Sequence, residues 1–282
     1  MKTARGSLTI LTDNTVPERS NAIAEHGFSA FLETGEGNFL FDTGKGKTVV
    51  HNAAILKKDL AGINKIVLSH AHGDHTGGLP DVLPAVSAKQ VDVFAHPDIF
   101  ADRFREKNDQ RTYGGIPFIK GYLEKMGARF VFNNEYREIE EGVFLTGEVP
   151  RETSFEGGDM GNRYVIREGK VEPDVILDDQ SLVIHVEKGI LIVLGCAHAG
   201  IVNVINHAIK MSGVDEIYGI IGGTHIGLSG DAQRDKTIEA LKNYKIEHLI
   251  PAHCTGAEAM CLMRNAFGNI FQFSHVGMTF HF

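Results

Sequence analysis

The stretch Ser69-His70-Ala71-His72-Gly73-Asp74-His75-Thr76-Gly77-Gly78 decides the fold of this 282-residue chain. It follows Lys65-Ile66-Val67-Leu68, a short apolar run typical of a buried strand. Imidazole and carboxylate groups are ligands that zinc and similar divalent ions accept. His70 and His72 point to the same side of an extended backbone, whereas Asp74 and His75 follow where the chain turns. The spacing therefore predicts ligands for two adjacent metal ions rather than surface histidines in a polar loop.

The composition is that of an ordinary globular protein, with 43% hydrophobic and 23% charged residues. The length suits one large domain or two smaller ones. Because no sharp change of composition marks a boundary, we expect a single domain over residues 1–282.

Charge and cysteine content narrow the class of protein. The formal net charge of −8 argues against a nucleic-acid-binding surface but is compatible with a small anionic substrate in a local pocket. No apolar run is long enough to span a membrane, and the first residues lack the apolar core of a signal peptide. Three cysteines are too few for a disulfide framework. We therefore expect a cytoplasmic protein without nucleic-acid or membrane partners, and self-association into a homo-oligomer stays open.

Apolar runs and turn residues predict an α/β fold in which each half has a hairpin followed by strand–helix units. The predicted strands cover 7–11, 28–33, 38–41, 65–68, 91–95, 129–132, 138–147, 181–186, 190–194, 216–221, 247–250 and 270–273. The predicted helices cover 47–60, 78–86, 201–211, 231–244 and 257–267.

Two stretches lack a regular pattern, 97–126 and 149–174. Both are interpreted either as lid or insert segments over a site or as plain connecting loops. Tyr113 lies in the first stretch, and Arg151 and Arg163 lie in the second. These side chains are candidates for contact with an anionic or aromatic substrate, with solvated surface positions as the alternative.

Several polar residues follow the ends of predicted strands, each with glycine nearby. They are Asp42, His70, His72, His198, His225 and His253. Two mixed sheets packed face to face, with helices outside, would bring these strand ends to one edge.

The chain resembles the metallo-β-lactamase superfamily over nearly its whole length. The resemblance rests on four features in this order: Asp42-Thr43-Gly44, the His-x-His-x-Asp-His run from His70 to His75, His198 and His253. The resemblance implies an αββα sandwich, with two mixed β-sheets, helices on the outer faces and two divalent ions at one edge. Zinc is the expected ion, with manganese or iron as alternatives. The implied ligand sets are His70, His72 and His198 for one ion and Asp74, His75 and His253 for the other. Asp42 would fix a ligand by hydrogen bonding.

The chain departs from the family pattern at one strand end. Many members carry an aspartate there whose carboxylate bridges the metals, but this strand ends in Gly223-Thr224-His225. His225 is therefore a candidate metal ligand or substrate contact, with a structural role as the alternative. Asp231, the nearest later carboxylate, is expected to begin a surface helix. The departure leaves occupancy of the second metal position open.

Two cysteines, Cys196 and Cys254, lie beside proposed ligands. Strand alternation turns Cys196 the same way as His198, toward the site. For both cysteines the favoured interpretation is a small buried packing role.

A narrower resemblance rests on Glu25–Ser29, Gly195–Gly200, Gly222–His225 and Pro251–Gly256. These segments look like a subgroup similar to the archaeal dihydropterin–ribofuranosylaminobenzene phosphate synthases of methanopterin biosynthesis. The subgroup implies that His26 lies near the site, and that a pterin methyl pyrophosphate condenses with an aromatic phosphate. Many relatives are described only as metal-dependent hydrolases.

The favoured function is a metal-dependent hydrolase-type enzyme that attacks a phosphorylated or pyrophosphorylated small molecule with a metal-activated water. Asp74 would orient that water, and His225 is the second catalytic candidate. The alternative is a synthase-like pterin transferase, with His26, Tyr113 and Arg151 as candidate substrate contacts. An RNA-processing nuclease, an iron redox protein and a metal-stabilised binding module without turnover are less favoured.

Overall fold

Two β-sheets packed face to face form the centre of the molecule. The computed structural model describes residues 2–157 and 161–282. The strands are β1 (Gly6–Thr12), β2 (Ser29–Thr34), β3 (Gly37–Phe41), β4 (Ile63–Val67), β5 (Val91–Ala95), β6 (Asp102–Lys107), β7 (Gln110–Tyr113), β8 (Ala128–Phe132), β9 (Arg137–Glu140), β10 (Val143–Leu145), β11 (Arg163–Arg167), β12 (Lys170–Pro173), β13 (Leu182–Val186), β14 (Gly189–Leu194), β15 (Glu216–Gly223), β16 (Lys245–Ala252) and β17 (Thr279–His281). The helices are α1 (Val49–Ile55), α2 (Gly73–Thr76), α3 (Leu79–Val82), α4 (Lys120–Lys125), α5 (Ile201–Ser212), α6 (Asp231–Leu241) and α7 (Ala257–Phe267).

Both central sheets mix parallel and antiparallel pairs. The first has the order β17-β1-β2-β3-β4-β5-β8, and it is parallel from β3 to β8. The second has the order β16-β15-β14-β13-β10-β9, and it is parallel among β14, β15 and β16. The carboxyl ends of parallel neighbours share one edge of a sheet. The loops after β3 and β4 therefore emerge together, as do those after β14, β15 and β16.

The core has three layers. Between the sheets, Phe39 and Phe41 of β3 belong to the same buried cluster as Leu191 and Val193 of β14. The outer face of the first sheet is covered by α1, α3 and α4, and that of the second by α5, α6 and α7. The predicted αββα sandwich, two mixed sheets with helices on the outer faces, is confirmed.

Helix α5 shows how the sequence builds an outer layer. Its apolar residues Ile201, Val204, Ile205 and Ala208 recur at helical spacing and are buried against the second sheet. Gly213 adopts the left-handed conformation, with φ of 71°, and ends the helix.

A third sheet, which the sequence did not predict, joins the two irregular stretches. Its four antiparallel strands have the order β12-β11-β6-β7, so 97–126 and 149–174 are not plain loops. We call this unit the inserted sheet. Residues 158–160 of the second stretch lie outside the described residues. Buried Arg103 of β6 forms ion pairs with Asp174 at 3.1 Å and Asp178 at 2.7 Å, which attach the inserted sheet to the segment before β13.

The end of the chain differs from prediction. The strand predicted at 270–273 is replaced by the 3₁₀ turn Gly268–Ile270 and one isolated bridge from Phe271 to Leu249. The closing strand is instead β17, which pairs with β1.

Other element boundaries also differ from prediction. Helix α1 ends at Ile55 rather than residue 60, because Lys57 is left-handed with φ of 58°. The strand predicted at 138–147 is a hairpin, β9 and β10, that turns at Gly142 with φ of 74°. Within residues 2–157 and 161–282, no helix has both the length and the apolar composition of a membrane span.

Candidate metal centre

Five loops at one edge of the sandwich bring the predicted ligands together. Asp42 follows β3, the run from His70 to His75 follows β4, and His198, His225 and His253 follow β14, β15 and β16. The His70 ring centroid lies 4.5 Å from that of His72, 4.3 Å from His75 and 4.9 Å from His198. Both halves of the sandwich therefore contribute imidazoles to one cluster.

The backbone at this edge adopts an unusual conformation. Asp42, Ala197, His225 and His253 have φ between 48° and 59°, a region that costs a non-glycine residue on the order of 1 kcal/mol or more. Such strain persists only where surrounding contacts enforce it. Four such residues lie at the strand ends of this edge, where the sequence predicts the site.

The first predicted ligand set is His70, His72 and His198. His70 Nε2 lies 2.9 Å from His72 Nδ1, and both rings lie 4.9 Å from His198. Burial holds the pKa of all three imidazoles well below the usual value, so they are neutral, the form that binds metal ions.

His198 gives the clearest sign of a ligand. It is only 2% exposed, and among the described residues neither of its ring nitrogens has a hydrogen-bond partner. A buried polar side chain without a partner is costly, and coordination of a cation removes that cost. The donor set therefore fits a divalent ion.

Asp42 orients two of the imidazoles. Its Oδ2 lies 2.6 Å from His75 Nδ1 and accepts a hydrogen bond from Ser69 Oγ at 2.7 Å. Ser69 Oγ is also 2.8 Å from His70 Nδ1. Although burial lowers the pKa of His75, the carboxylate more than offsets this and raises it to about 9. The Nε2 atoms of both rings are thereby directed toward the site.

The second predicted ligand set is Asp74, His75 and His253. His253 Nε2 lies 3.3 Å from both His75 Nε2 and Asp74 Oδ2. His26 Nε2 approaches the same Asp74 oxygen at 3.1 Å. Burial acts to raise the pKa of Asp74, but hydrogen bonds from His253 and His26 hold it far below its usual range. Asp74 is therefore ionised, and His26 lies beside the cluster.

Three further polar residues hold the cluster in place, and sequence reasoning missed them. Asp13 accepts a hydrogen bond from the His253 backbone N–H at 2.9 Å, and Asn14 Oδ1 lies 3.0 Å from His253 Nδ1. Asp179 accepts a hydrogen bond from the His198 backbone N–H, and burial raises its pKa to about 7. In the sequence, these supporting residues are marked only by one polar pair directly after β1 and another before β13.

The position of Cys196 differs from the packing role that the sequence favoured. Cys196 Sγ lies 3.1 Å from His75 Nε2, so Cys196 belongs to the cluster rather than to the packing around it. In the absence of a cation, burial and the hydrogen bond with Cys254 raise the pKa of the Cys196 thiol. Cys254 is buried, and its sulfur, Cys196 Sγ and a His225 ring nitrogen lie within 4.8 Å of one another. The His225 ring lies 4.2 Å from that of His198.

A cavity of about 740 Å³ opens over the cluster. Its walls include Lys45, His26, Tyr113 and Phe118, together with Arg105 and Arg163 from the inserted sheet. Tyr113 donates a hydrogen bond from its hydroxyl to the Ile116 carbonyl at 2.9 Å, which holds the turn that follows it.

Arg105 and Arg163 are directly opposite each other in the register of β6 and β11. Like charges directly opposite each other on neighbouring strands repel. Arg163 Nη1 also reaches to 3.2 Å from His72 Nε2. The inserted sheet therefore places positive charge beside the metal ligands.

Arg151, the other arginine predicted to contact the substrate, does not face the cavity. Arg151 Nη2 donates to the carbonyl oxygens of Val175 and, at 3.2 Å, of His198. It is not among the residues that line the cavity. Arg151 thus supports the loop that carries His198 rather than facing the opening.

Comparisons with known proteins agree with this architecture. Residues 23–253 match the model of the metallo-β-lactamase superfamily. The chain is 32% identical over 267 residues to the 7,8-dihydropterin-6-methyl-4-(β-D-ribofuranosyl)-aminobenzene-5′-phosphate synthase of Methanocaldococcus jannaschii, which covers 92% of this chain and 90% of that protein. An uncharacterised protein of the same organism is 34% identical over 270 residues, 95% of this chain and 97% of that protein.

Among solved structures, Tm1679, described as a metal-dependent hydrolase of the β-lactamase superfamily, has a TM-score of 0.82. Its sequence is 25% identical, and the match covers 98% of both chains. Sequence and fold comparisons therefore point to the same group of proteins.

Proposed function

Because the chain belongs to the metallo-β-lactamase superfamily, we propose that it is a metal-dependent enzyme acting on a phosphorylated or pyrophosphorylated small molecule. The two ligand sets described above would hold two divalent ions, with zinc as the expected metal. Bound divalent ions polarise phosphoryl oxygens and make water more acidic, which is the chemistry that hydrolysis at phosphorus needs. The supporting observation is the pair of facing arginines, Arg105 and Arg163, beside buried neutral imidazoles.

The protein's own residues have separate roles in this proposal. Arg105, Arg163 and Lys45 bind the anionic group and neutralise its charge. Asp74, which stays ionised, accepts a hydrogen bond from the nucleophile and orients it. His225 lines the same cavity and contacts the leaving group. The volume of about 740 Å³ suits a small organic ligand, and the net charge of −8 disfavours nucleic acid.

Pterin transfer is the second candidate function. Its support is the 32% identity to a named synthase over 92% of the chain. The rings of Tyr113 and Phe118, which line the cavity, would suit a flat heteroaromatic substrate. In this reaction the pterin methyl carbon would bond to the arylamine nitrogen, the bond from that carbon to the pyrophosphate oxygen would break, and the amine proton would pass to solvent. Charge neutralisation by Arg105 and Arg163 would serve that leaving group as well.

A substrate panel separates the two functions. The zinc-loaded protein would be offered phosphomonoesters, phosphodiesters, pyrophosphates, lactones and thioesters, and separately a pterin methyl pyrophosphate with an aminobenzene ribofuranosyl phosphate. Turnover of a phosphate or pyrophosphate alone supports the hydrolase. Turnover only of the paired substrates, with release of pyrophosphate, supports the transferase. Hydrolysis confined to lactones or thioesters would contradict both.

A further inference from the structure

At Gly223, the last residue of β15, there is no room for a side chain. A Cβ atom on Gly223, at the end of β15, would lie 2.4 Å from the Gly195 carbonyl oxygen and 2.7 Å from Cys254 Sγ. Real Cβ atoms essentially never approach other heavy atoms this closely. The space beside this strand end is therefore filled by backbone and by a cysteine sulfur.

Cys196 Sγ lies between the two predicted ligand sets. It is within 4.8 Å of ring nitrogens of His70 and His198, and equally of ring nitrogens of His75 and His253. His198, which is buried and has no partner for either ring nitrogen among the described residues, belongs to the first of these groups. The Cys196 sulfur, which both groups contain, and the His198 imidazole, which has no partner among the described residues, therefore lie together.

We propose that Cys196 is a thiolate ligand shared by both metal ions, in the position that an aspartate takes in many relatives. The inference rests on the proposed metal centre. On binding, the thiol releases its proton to solvent, and the sulfur donates one electron pair to each ion. A shared thiolate supplies a negative charge to both ions, which an imidazole ligand does not. It also favours soft ions such as zinc over magnesium or calcium.

Cys254 is the competing sulfur, but its position is different. Among the residues that the structure describes, it belongs to one potential ligand group, with Cys196 and His225, and to neither group that contains an imidazole pair. We assign it to the space beside Gly223, where it supports Cys196. The third cysteine, Cys261, is exposed on α7. The three positions therefore give one test residue, one competing sulfur and one exposed control.

X-ray absorption at the zinc edge tests the proposal without an activity measurement. Zinc–sulfur scattering is expected at about 2.3 Å, separate from nitrogen at about 2.0–2.1 Å. With two zinc ions bound, a shared thiolate gives about one sulfur per zinc, whereas a sulfur bound to one ion gives about half of that. Two zinc ions with no sulfur, or with the half value, would overturn the proposal.

Substitutions identify the sulfur. Cys196→Ser is expected to abolish the sulfur signal and to weaken binding of the second zinc by about tenfold or more in chelator competition. Cys254→Ser and Cys261→Ser should keep the signal. Loss of the signal in Cys254→Ser with retention in Cys196→Ser would overturn the assignment. If Cys196→Ser does not fold, the wild-type and Cys254→Ser spectra together decide, because only a shared Cys196 gives about one sulfur per zinc in both. A wild-type protein that binds no zinc would contradict the proposed centre itself, and this inference with it.

Discussion

Asp42 is the residue on which two metal-binding imidazoles depend. It contacts His75 directly and His70 through Ser69, and all four side chains are buried. Replacing Asp42 with alanine should weaken zinc affinity by about 10- to 100-fold, because both rings lose the group that orients them. Chelator competition measures the affinity. Asp231→Ala is the control, since its side chain is 85% exposed at the start of α6. Equal affinities for both variants would contradict the role of Asp42.

At the residue scale, the sequence predicted which imidazoles cluster at one edge but not all of the residues that support them. Four ligands within six residues form a pattern that packing does not explain. Asp13, Asn14 and Asp179 are single polar residues in loops, and only the fold brings them to His253 and His198. Cys196 was assigned to packing because a buried cysteine without structural context reads as a small apolar residue.

Helix α5 directly follows the loop that carries His198. The first turn of this helix is capped by a carboxylate that is distant in sequence. Glu156 accepts hydrogen bonds from the backbone N–H groups of Val202 and Asn203, both at 3.0 Å, and is 1% exposed. Glu156→Ala leaves these buried donors without a partner and should lower the free energy of unfolding by about 2–4 kcal/mol. Denaturant unfolding measures the change. The exposed neighbour Glu152 offers a control, and a similar loss in Glu152→Ala would show that the effect is not due to capping.

The inserted sheet is the element that should set affinity for an anionic substrate. Arg163→Ala removes a cation 3.2 Å from His72 and is expected to raise KM by about tenfold, since a charged hydrogen bond contributes about 1.5–3 kcal/mol. Steady-state kinetics with the substrate found in the panel measures the change. Arg111 is the matched control, because it lies on β7 of the same sheet and pairs with Glu106 outside the cavity lining. An unchanged KM for Arg163→Ala would contradict a role of the inserted sheet in substrate binding.

Local sequence patterns predicted the central strands but not the inserted sheet. The strands of the sandwich are apolar and bounded by glycine, so each one is recognisable alone. In the inserted sheet, β6 pairs with β11 across more than fifty residues, and its strands are largely exposed and charged. Similarly, the apolar run at 270–273 was mistaken for a strand, whereas the short β17 is defined only by its pairing with β1.

On the scale of the whole molecule, bound metal should join the two sheets. His70, His72 and His75 follow a strand of the first sheet, and His198 and His253 follow strands of the second. Each ion stabilises the folded state by about 4 kcal/mol when free metal exceeds its Kd a thousandfold, so two ions together contribute about 8 kcal/mol. Chelation of both ions should therefore lower the midpoint of thermal unfolding by roughly 20 °C. Calorimetry with and without chelator measures the shift. In His72→Ala the same chelator should lower the midpoint by less. Equal shifts in the two proteins would show that the stabilising metal is not bound at this cluster.

The number of metal ions bound per chain tests the central claim most directly. Elemental analysis of the purified protein, after equilibration with zinc and removal of excess ion, should give two equivalents. His72→Ala should lose at least one of them together with turnover. One equivalent or none in the wild-type protein, or full activity in His72→Ala, would contradict the two-metal account.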